Sequence, residues 1–291
     1  MKKVLSLILA MVMVFAAVLL AACEGDKEGA ETGDANTENG KIIVNTNAYF
    51  APFEYYDGTE IVGVDVDIMN KVGEKLGKTI EFQNTEFAVI IDNVAKGEVC
   101  DCGAAGITIT EARAEKVDFS TPYYTSVQYV IYAEDDAAFA DKADDDHILW
   151  DDLADKTVGV QTDTTGMIFA EAELEEGGVL EGTNTEIKNF DNAQLAADAI
   201  TANQIDYVII DELPAKFIVD KNEGLKCLPL FYKGAEGEED APTEEQYAIC
   251  VTKGNTELLD AINAVLADMM VEDADGKTEV MKLVMQHMGL N

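Results

Sequence analysis

Residues 63–77 read GVDVDIMNKVGEKLG, and this stretch decides the fold. Ile68, Val72 and Leu76 recur at i, i+4 and i+8, which is one apolar stripe on a helix, and Gly77 stands where such a helix ends. Outward from it the chain alternates. Upstream, KIIVN (41–45) is a short apolar strand, and NAYFAPFEYYDG (47–58) reads as an aromatic-rich loop around Pro52. Downstream come a strand, TIEFQ (79–83), a helix, FAVIIDNVAKG (87–97), and a strand, VCDCGAAGITI (99–109). A β-α-β-α-β run of this kind implies a largely parallel sheet with helices on its faces.

A second run of the same grammar begins near Trp150. TVGVQ (157–161) is a strand, TTGMIFAEAEL (164–174) a helix, EIKNF (186–190) a strand, DNAQLAADAITANQ (191–204) a helix and IDYVIID (205–211) a strand opening into a helix at Pro214. QYAICVTKGN (246–255) then reads as a strand, followed by helices over 257–270 and 279–289. The folded part from Lys41 is about 250 residues, long for one core and suited to two α/β lobes. The turn EDADG (272–276) does not fit a calcium loop, because aligning Gly276 with the loop glycine puts Val271 and Lys282 at the end ligand positions.

The N-terminus has a different character. Met1, Lys2 and Lys3 precede an apolar run from Val4 to Ala22 broken only by Ser6, the pattern of a secretory signal. That run is long enough to span a bilayer. Its end, Leu20-Ala21-Ala22-Cys23 followed by Glu24 and Asp26, favours a cleaved leader with an acylated Cys23 over a bare anchor. EGDKEGAETGDANTENG (24–40) has no large apolar residue and is expected to be a flexible tether. The net charge of −37 repels nucleic acid and anionic lipid, and otherwise selects no ligand. Cys100 and Cys102 sit two apart, where a disulfide is disfavoured in a strand, and read as buried thiols; whether Cys227 and Cys250 pair is left open.

Hydrolytic chemistry finds little support. After the leader there are two serines, Ser120 and Ser126, and two histidines, His147 and His287, with no G-x-S-x-G, no H-E-x-x-H and no phosphate-cradling glycine loop. His147 lies in an aspartate run that looks like surface, and His287 reads as structural. No cofactor or metal is implied. Ligand-binding features stand instead at the ends of the strands. The sharpest is GITITEAR (106–113): the chain uses lysine 19 times and arginine once, at Arg113. A guanidinium matches a carboxylate bidentately where an ammonium cannot, so a solitary arginine marks either a ligand carboxylate or a structural ion pair. VGVQTDTTGM (158–167) runs from a strand into a helix N-terminus with Thr164 and Thr165 beside it, an anion site or an ordinary cap. Asp211 ends a strand before a helix, placed for an ammonium group or for capping. Phe50 and Phe87 can sandwich an aliphatic chain, although aromatics are more often core.

Together GVDVDIMNKVGEKLG, AAGITITEARAEKVDFSTPYY and DLADKTVGVQTDTTG resemble, in order, the motifs of the bacterial family 3 solute-binding proteins, the amino-acid receptors of ABC importers. The likeness spans nearly everything from Lys41 to Gly289. It implies a type II periplasmic-binding-protein-like α/β fold, two lobes joined by crossing strands near Tyr129–Tyr132 and Thr243–Ala248. The expected organisation is a lipoprotein signal peptide over 1–22, a tether over 23–40, lobe 1 over 41–130 plus 248–291, and lobe 2 over 131–247. Carried over by position, Arg113 and the Thr165 turn hold the ligand α-carboxylate, and Asp211 the α-amino group. Ala105 and Gly106 present backbone groups, Thr108 its hydroxyl, Phe50 and Phe87 flank the side chain, and Asn47 and Gln161 line the pocket. Asn47 stands where several members carry Asp and Gln161 where some carry Lys, which points to a polar, uncharged ligand side chain. A monomer is expected, held at the membrane by the acyl chain (palmitate) on Cys23 alone and delivering its ligand to a permease. The rival readings are a secreted dehydratase-like enzyme on the same fold and a sensory receptor without transport.

Overall fold

The computed structural model describes residues 40–139, 141–143 and 146–290. The leader, Cys23 and all of the tether but Gly40 lie outside the described residues. The first lobe opens with β1 (Lys41–Thr46), the short strands β2 (Tyr49–Phe50), β3 (Glu54–Asp57) and β4 (Glu60–Val62), and helix α1 (Val64–Leu76). β5 (Thr79–Asn84), α2 (Phe87–Lys96), β6 (Cys102–Gly103), α3 (Glu111–Ala114) and β7 (Val117–Phe119) follow. The chain crosses on β8 (Tyr124–Ala133) and builds β9 (Ile148–Leu149), β10 (Thr157–Gln161), α4 (Thr165–Leu174), β11 (Glu186–Phe190) and α5 (Ala193–Thr201). Next come β12 (Tyr207–Asp211), α6 (Glu212–Lys221), β13 (Leu225–Tyr232) and β14 (Ala241–Pro242). β15 (Glu244–Tyr247) leads back to β16 (Cys250–Thr252), α7 (Thr256–Met269) and α8 (Glu279–His287).

Two separate sheets carry the lobes. The first has the order β5-β1-β6-β16-β7, the second β11-β10-β12-β8-β13-β14 with β15 on β8 and β9 on β13. β1 runs parallel to β5 and β6, and β10 parallel to β11 and β12, as the β-α-β alternation requires. Strands entering from outside those units, β16 and β8, pair antiparallel to them. α1 buries Ile68, Met69 and Val72 and stops at Gly77, whose φ of 65° lies in the left-handed region that glycine enters without penalty. No helix among the described residues is long and apolar enough to cross a membrane.

The structure departs from the sequence reading in several places. The aromatic loop 47–58 is part of a three-stranded antiparallel sheet, β2-β3-β4, registered by Tyr49↔Tyr55 and Tyr55↔Val62. Strands of two to four residues are too short to display a period. Of the expected strand over 99–109 only Cys102–Gly103 joins the ladder, because the chain turns away at Gly106 toward the cleft. The first crossing also lies earlier than Tyr129–Tyr132. Tyr124–Val127 pairs with Glu244–Tyr247 between the lobes, while Tyr129 and Tyr132 already face Ile210 and Tyr207 inside the second sheet. Cys227 lies on β13 and Cys250 on β16, in different sheets, and both are free thiols, as are Cys100 and Cys102. His147 stacks on Phe231 and meets Asp240 at 2.8 Å, and His287 lies between Asp67 and Tyr55, so both histidines are engaged in packing.

Candidate functional site

Every ligand-binding candidate from the sequence except Ala105 lines one nearly closed cavity of about 10 Å³ between the lobes: Asn47, Phe50, Phe87, Gly106, Thr108, Arg113, Gln161, Thr164, Thr165 and Asp211. The fold explains the convergence. Asn47 follows β1, Thr108 follows β6, Gln161 ends β10 and Asp211 ends β12, so all sit at the carboxyl ends of parallel strands, where open α/β sheets bind ligands. Ala105 is the exception. Its side chain is buried in a cluster with Ile90, Val94 and Ile107, and it is not among the residues that line the cavity.

Arg113 is buried beneath Phe87, its guanidinium carbon 5.3 Å from the ring centroid. Thr110 caps the short α3 and accepts the Arg113 N–H at 3.2 Å, which fixes the start of the side chain. Nη1 donates to the Thr108 carbonyl and Nη2 to the Asp163 carbonyl, each at 2.8 Å, so one guanidinium touches both lobes. Burial pulls its pKa down from the ordinary arginine value, against the pull of Glu245. No carboxylate among the described residues comes within ion-pair distance of it. Among the described residues, then, this arginine does not make the structural ion pair that the sequence left open.

The two threonines divide. Thr164 is an ordinary cap: its Oγ1 accepts the Met167 N–H and donates to the Gln161 carbonyl at 2.8 Å. The first N–H groups of α4, those of Thr165 and Gly166, have no acceptor among the described residues, and Thr165 lines the cavity. The Thr165 hydroxyl instead donates to Glu245 at 2.5 Å. Asp211 makes no capping bond although it precedes α6; its carboxylate accepts from the Gln128 side-chain amide. The same amide nitrogen also donates to Glu245. Burial, and then the nearby Glu245, push the Asp211 carboxyl well above the ordinary range. Gln128 and Glu245 were not singled out from the sequence, and both are fully enclosed.

Toward solvent the lobes meet through amides. Gln161 donates to Asn47 Oδ1 at 3.0 Å and to the Asp191 carbonyl at 3.2 Å, and Asn47 donates to the Thr85 carbonyl at 2.7 Å. Beyond Asn47 a cavity of about 620 Å³ opens, lined by Asn84, Glu86, Asp191 and Asn192 among others. On the Arg113 side a second opening of about 260 Å³ runs past Phe87, Asp92 and Lys116.

Beneath the cavity lies a buried acidic group. Asp65 accepts from the Tyr123 hydroxyl at 2.6 Å and from the Gly106 N–H at 2.9 Å. Burial still raises its pKa to about 6, over the lowering effect of these two bonds. Of the backbone groups that the sequence reading had Gly106 present to a ligand, the N–H is thus taken by Asp65. Gly106 itself has φ +54°, and a Cβ there would stand 2.6 Å from the Phe50 ring. Gly106→Ala is accordingly expected to cost about 1–3 kcal/mol and to weaken ligand binding by displacing Phe50. Thermal unfolding and titration check this, and an unchanged melting temperature would contradict it.

Glu54 is fully buried and neither carboxyl oxygen has a hydrogen-bond partner among the described residues. Burial, then Asp65 and Asp211, raise its pKa well above 4.5. A carboxyl whose folded pKa is raised contributes stability that is full below the unfolded value and lost as pH rises through the folded one. Glu54→Gln removes that loss, so the variant should melt several degrees higher than wild type at pH 8. The difference should vanish near pH 4; equal melting temperatures at both pH values would show that Glu54 carries no such penalty.

Comparison with known proteins agrees with this geometry. Residues 42–279 match the family model described as bacterial extracellular solute-binding proteins, family 3. The arginine-binding extracellular protein ArtP of Bacillus subtilis is 30% identical over 285 residues, 97% of each chain. Among solved structures, the amino-acid ABC transporter substrate-binding protein AbpA of Streptococcus pneumoniae, bound to L-arginine, superposes with a TM-score of 0.72 at 26% identity, covering 88% of this chain and 98% of that one. An ancestral arginine-binding protein bound to glutamine gives a TM-score of 0.68 at 32% identity, covering 86% and 98%. Two α/β lobes on separate sheets, a cavity at their strand ends and a family match across nearly all described residues place the chain among the bacterial extracellular solute-binding proteins, family 3, and it belongs to that family.

Proposed function

We propose that this chain is the extracytoplasmic capture component of an amino-acid ABC importer, closing its two lobes over one free amino acid and presenting the closed form to a permease. The observation that carries the reading is Arg113: a buried guanidinium, held in place by two carbonyls, with no carboxylate among the described residues within ion-pair distance. A buried charge of that kind favours an incoming anion of matching fork geometry. The ligand's α-carboxylate fills that role, helped by the free N–H groups of Thr165 and Gly166 at the head of α4. Asp211, at the end of β12, takes the α-ammonium, and that charge draws its carboxyl back to the ionised form. Phe50 and Phe87 flank the side chain, and Thr108 and Thr164 complete the walls. Residues of both lobes meet the same ligand, so binding and closure are coupled.

The acids of the cleft are engaged by Gln128, Thr108 and Thr165, an arrangement suited to holding a ligand rather than to turning one over. For the side chain, the neutral amides of Asn47 and Gln161 favour a polar, uncharged group of the glutamine or asparagine kind. A second reading, a cationic side chain, draws support from Glu86 and Asp191 at the rim of the outer cavity and from the arginine-binding relatives. The mature chain is proposed to act as a monomer tethered through acylated Cys23. Calorimetric titration of the folded part with each common amino acid tests the capture reading and its side-chain preference. Tight binding of glutamine or asparagine supports the first reading, tight binding of arginine or lysine the second. Binding of no amino acid would overturn both.

A further inference from the structure

Glu245 lies on β15, the strand that joins the lobes, with Gln128 on the partner strand β8. Along β15 the burial alternates, Glu244 and Gln246 outward and Glu245 and Tyr247 inward, so the backbone aims this carboxylate at the cleft floor. Oε2 accepts the hydroxyl of Thr108 from the first lobe at 2.6 Å and that of Thr165 from the second at 2.5 Å. Oε1 accepts the Gln128 amide that also binds Asp211. One side chain therefore holds a donor from each lobe and one from the hinge.

A hydroxyl has a single proton. The Thr108 and Thr165 hydroxyls also lie 3.4 Å from each other, but the 2.6 and 2.5 Å contacts commit both protons to Glu245, and each oxygen then has only lone pairs left for anything in the cavity. Two acceptors then sit beside the Asp211 carboxylate. We propose that Glu245 is a positioning residue that makes the Thr108 and Thr165 hydroxyls acceptors, so that this corner demands an ammonium group and rejects a ligand without one. The proposal rests on the amino-acid reading above and deepens it. It divides the site: the free N–H groups of α4 and Arg113 serve the carboxylate, and the threonine oxygens serve the amine. Because its donors come from both lobes, Glu245 also fastens closure to the presence of that amine.

The test is a ratio. The preferred amino acid and its 2-hydroxy acid, in which a hydroxyl replaces the amine, are titrated against wild type and Glu245→Gln. Wild type should prefer the amino acid by about 100-fold or more, since the hydroxyl brings one proton and no charge where the ammonium brings three and a charge, leaving acceptors of the corner unmatched. In Glu245→Gln the threonine hydroxyls are free to rotate and donate. Amino-acid affinity should fall about 10- to 100-fold, while the hydroxy-acid affinity changes little, so the preference collapses. A loss that is equal for both ligands, or no loss, overturns the proposal, since a purely structural role would weaken them together. If the glutamine variant does not fold, the Thr108→Val/Thr165→Val pair reads the same ratio, with the same two outcomes. Failure of wild type to bind any amino acid would instead refute the capture reading itself.

Discussion

Arg113→Lys is expected to weaken amino-acid binding by roughly 30- to 1,000-fold while the protein remains folded, the range observed when a buried, hydrogen-bonded charge loses its geometry. The guanidinium spans the Thr108 and Asp163 carbonyls with two nitrogens and still has N–H groups to offer. A lysine keeps the charge but has one nitrogen, so it cannot hold both carbonyls and present a planar fork. Arg113→Ala should lose at least as much, and leaves both carbonyls without that donor. Calorimetry supplies the affinities and far-ultraviolet dichroism the fold. Binding by Arg113→Lys within threefold of wild type would mean that the arginine only braces the loop before α3.

Asp211→Asn is expected to do two things of opposite sign. Binding should fall by a similar factor, because the amide offers the ammonium no charge. The protein without amino acid should become more stable at neutral pH. The folded-state pKa of Asp211 is raised, by burial first and by Glu245 second, so its stabilising contribution is full below about pH 4, the ordinary aspartate value, and is lost as pH climbs toward the folded value. Asparagine carries no proton to lose. The variant should therefore melt higher than wild type at pH 7–8 and show a much smaller rise when amino acid is added. A destabilised variant at pH 8 would show that the carboxylate is a structural acceptor for Gln128 and no more.

Much of this architecture is written in periodicity. The stripe Ile68-Val72-Leu76 ended by Gly77, and the apolar strands before each helix, are local patterns that tertiary contacts only reinforce. Arg113 was legible for another reason, as the sole arginine beside so many lysines. The acids were not. With 57 Asp and Glu in the chain, nothing in composition distinguishes Glu54, Asp65 and Glu245, which the fold encloses, from those it leaves in water. Glu245 did carry one signal, its two-residue spacing from Tyr247 in a strand pattern, which puts both on one face. Gln128 had a comparable one, a polar residue leading into the apolar run YVIYA. The Thr164 reading shows the converse, since a hydroxyl before a helix served the commoner purpose of a cap.

The most direct test of the central claim is titration with the preferred amino acid beside its α-carboxamide, which keeps the amine and side chain and removes only the carboxylate charge. The account predicts that the carboxamide loses at least about 100-fold in wild type, and that Arg113→Ala brings the two ligands to within a few fold of each other. Equal affinity of wild type for the two would contradict it, for then Arg113 would not be what the cleft uses to seize its ligand.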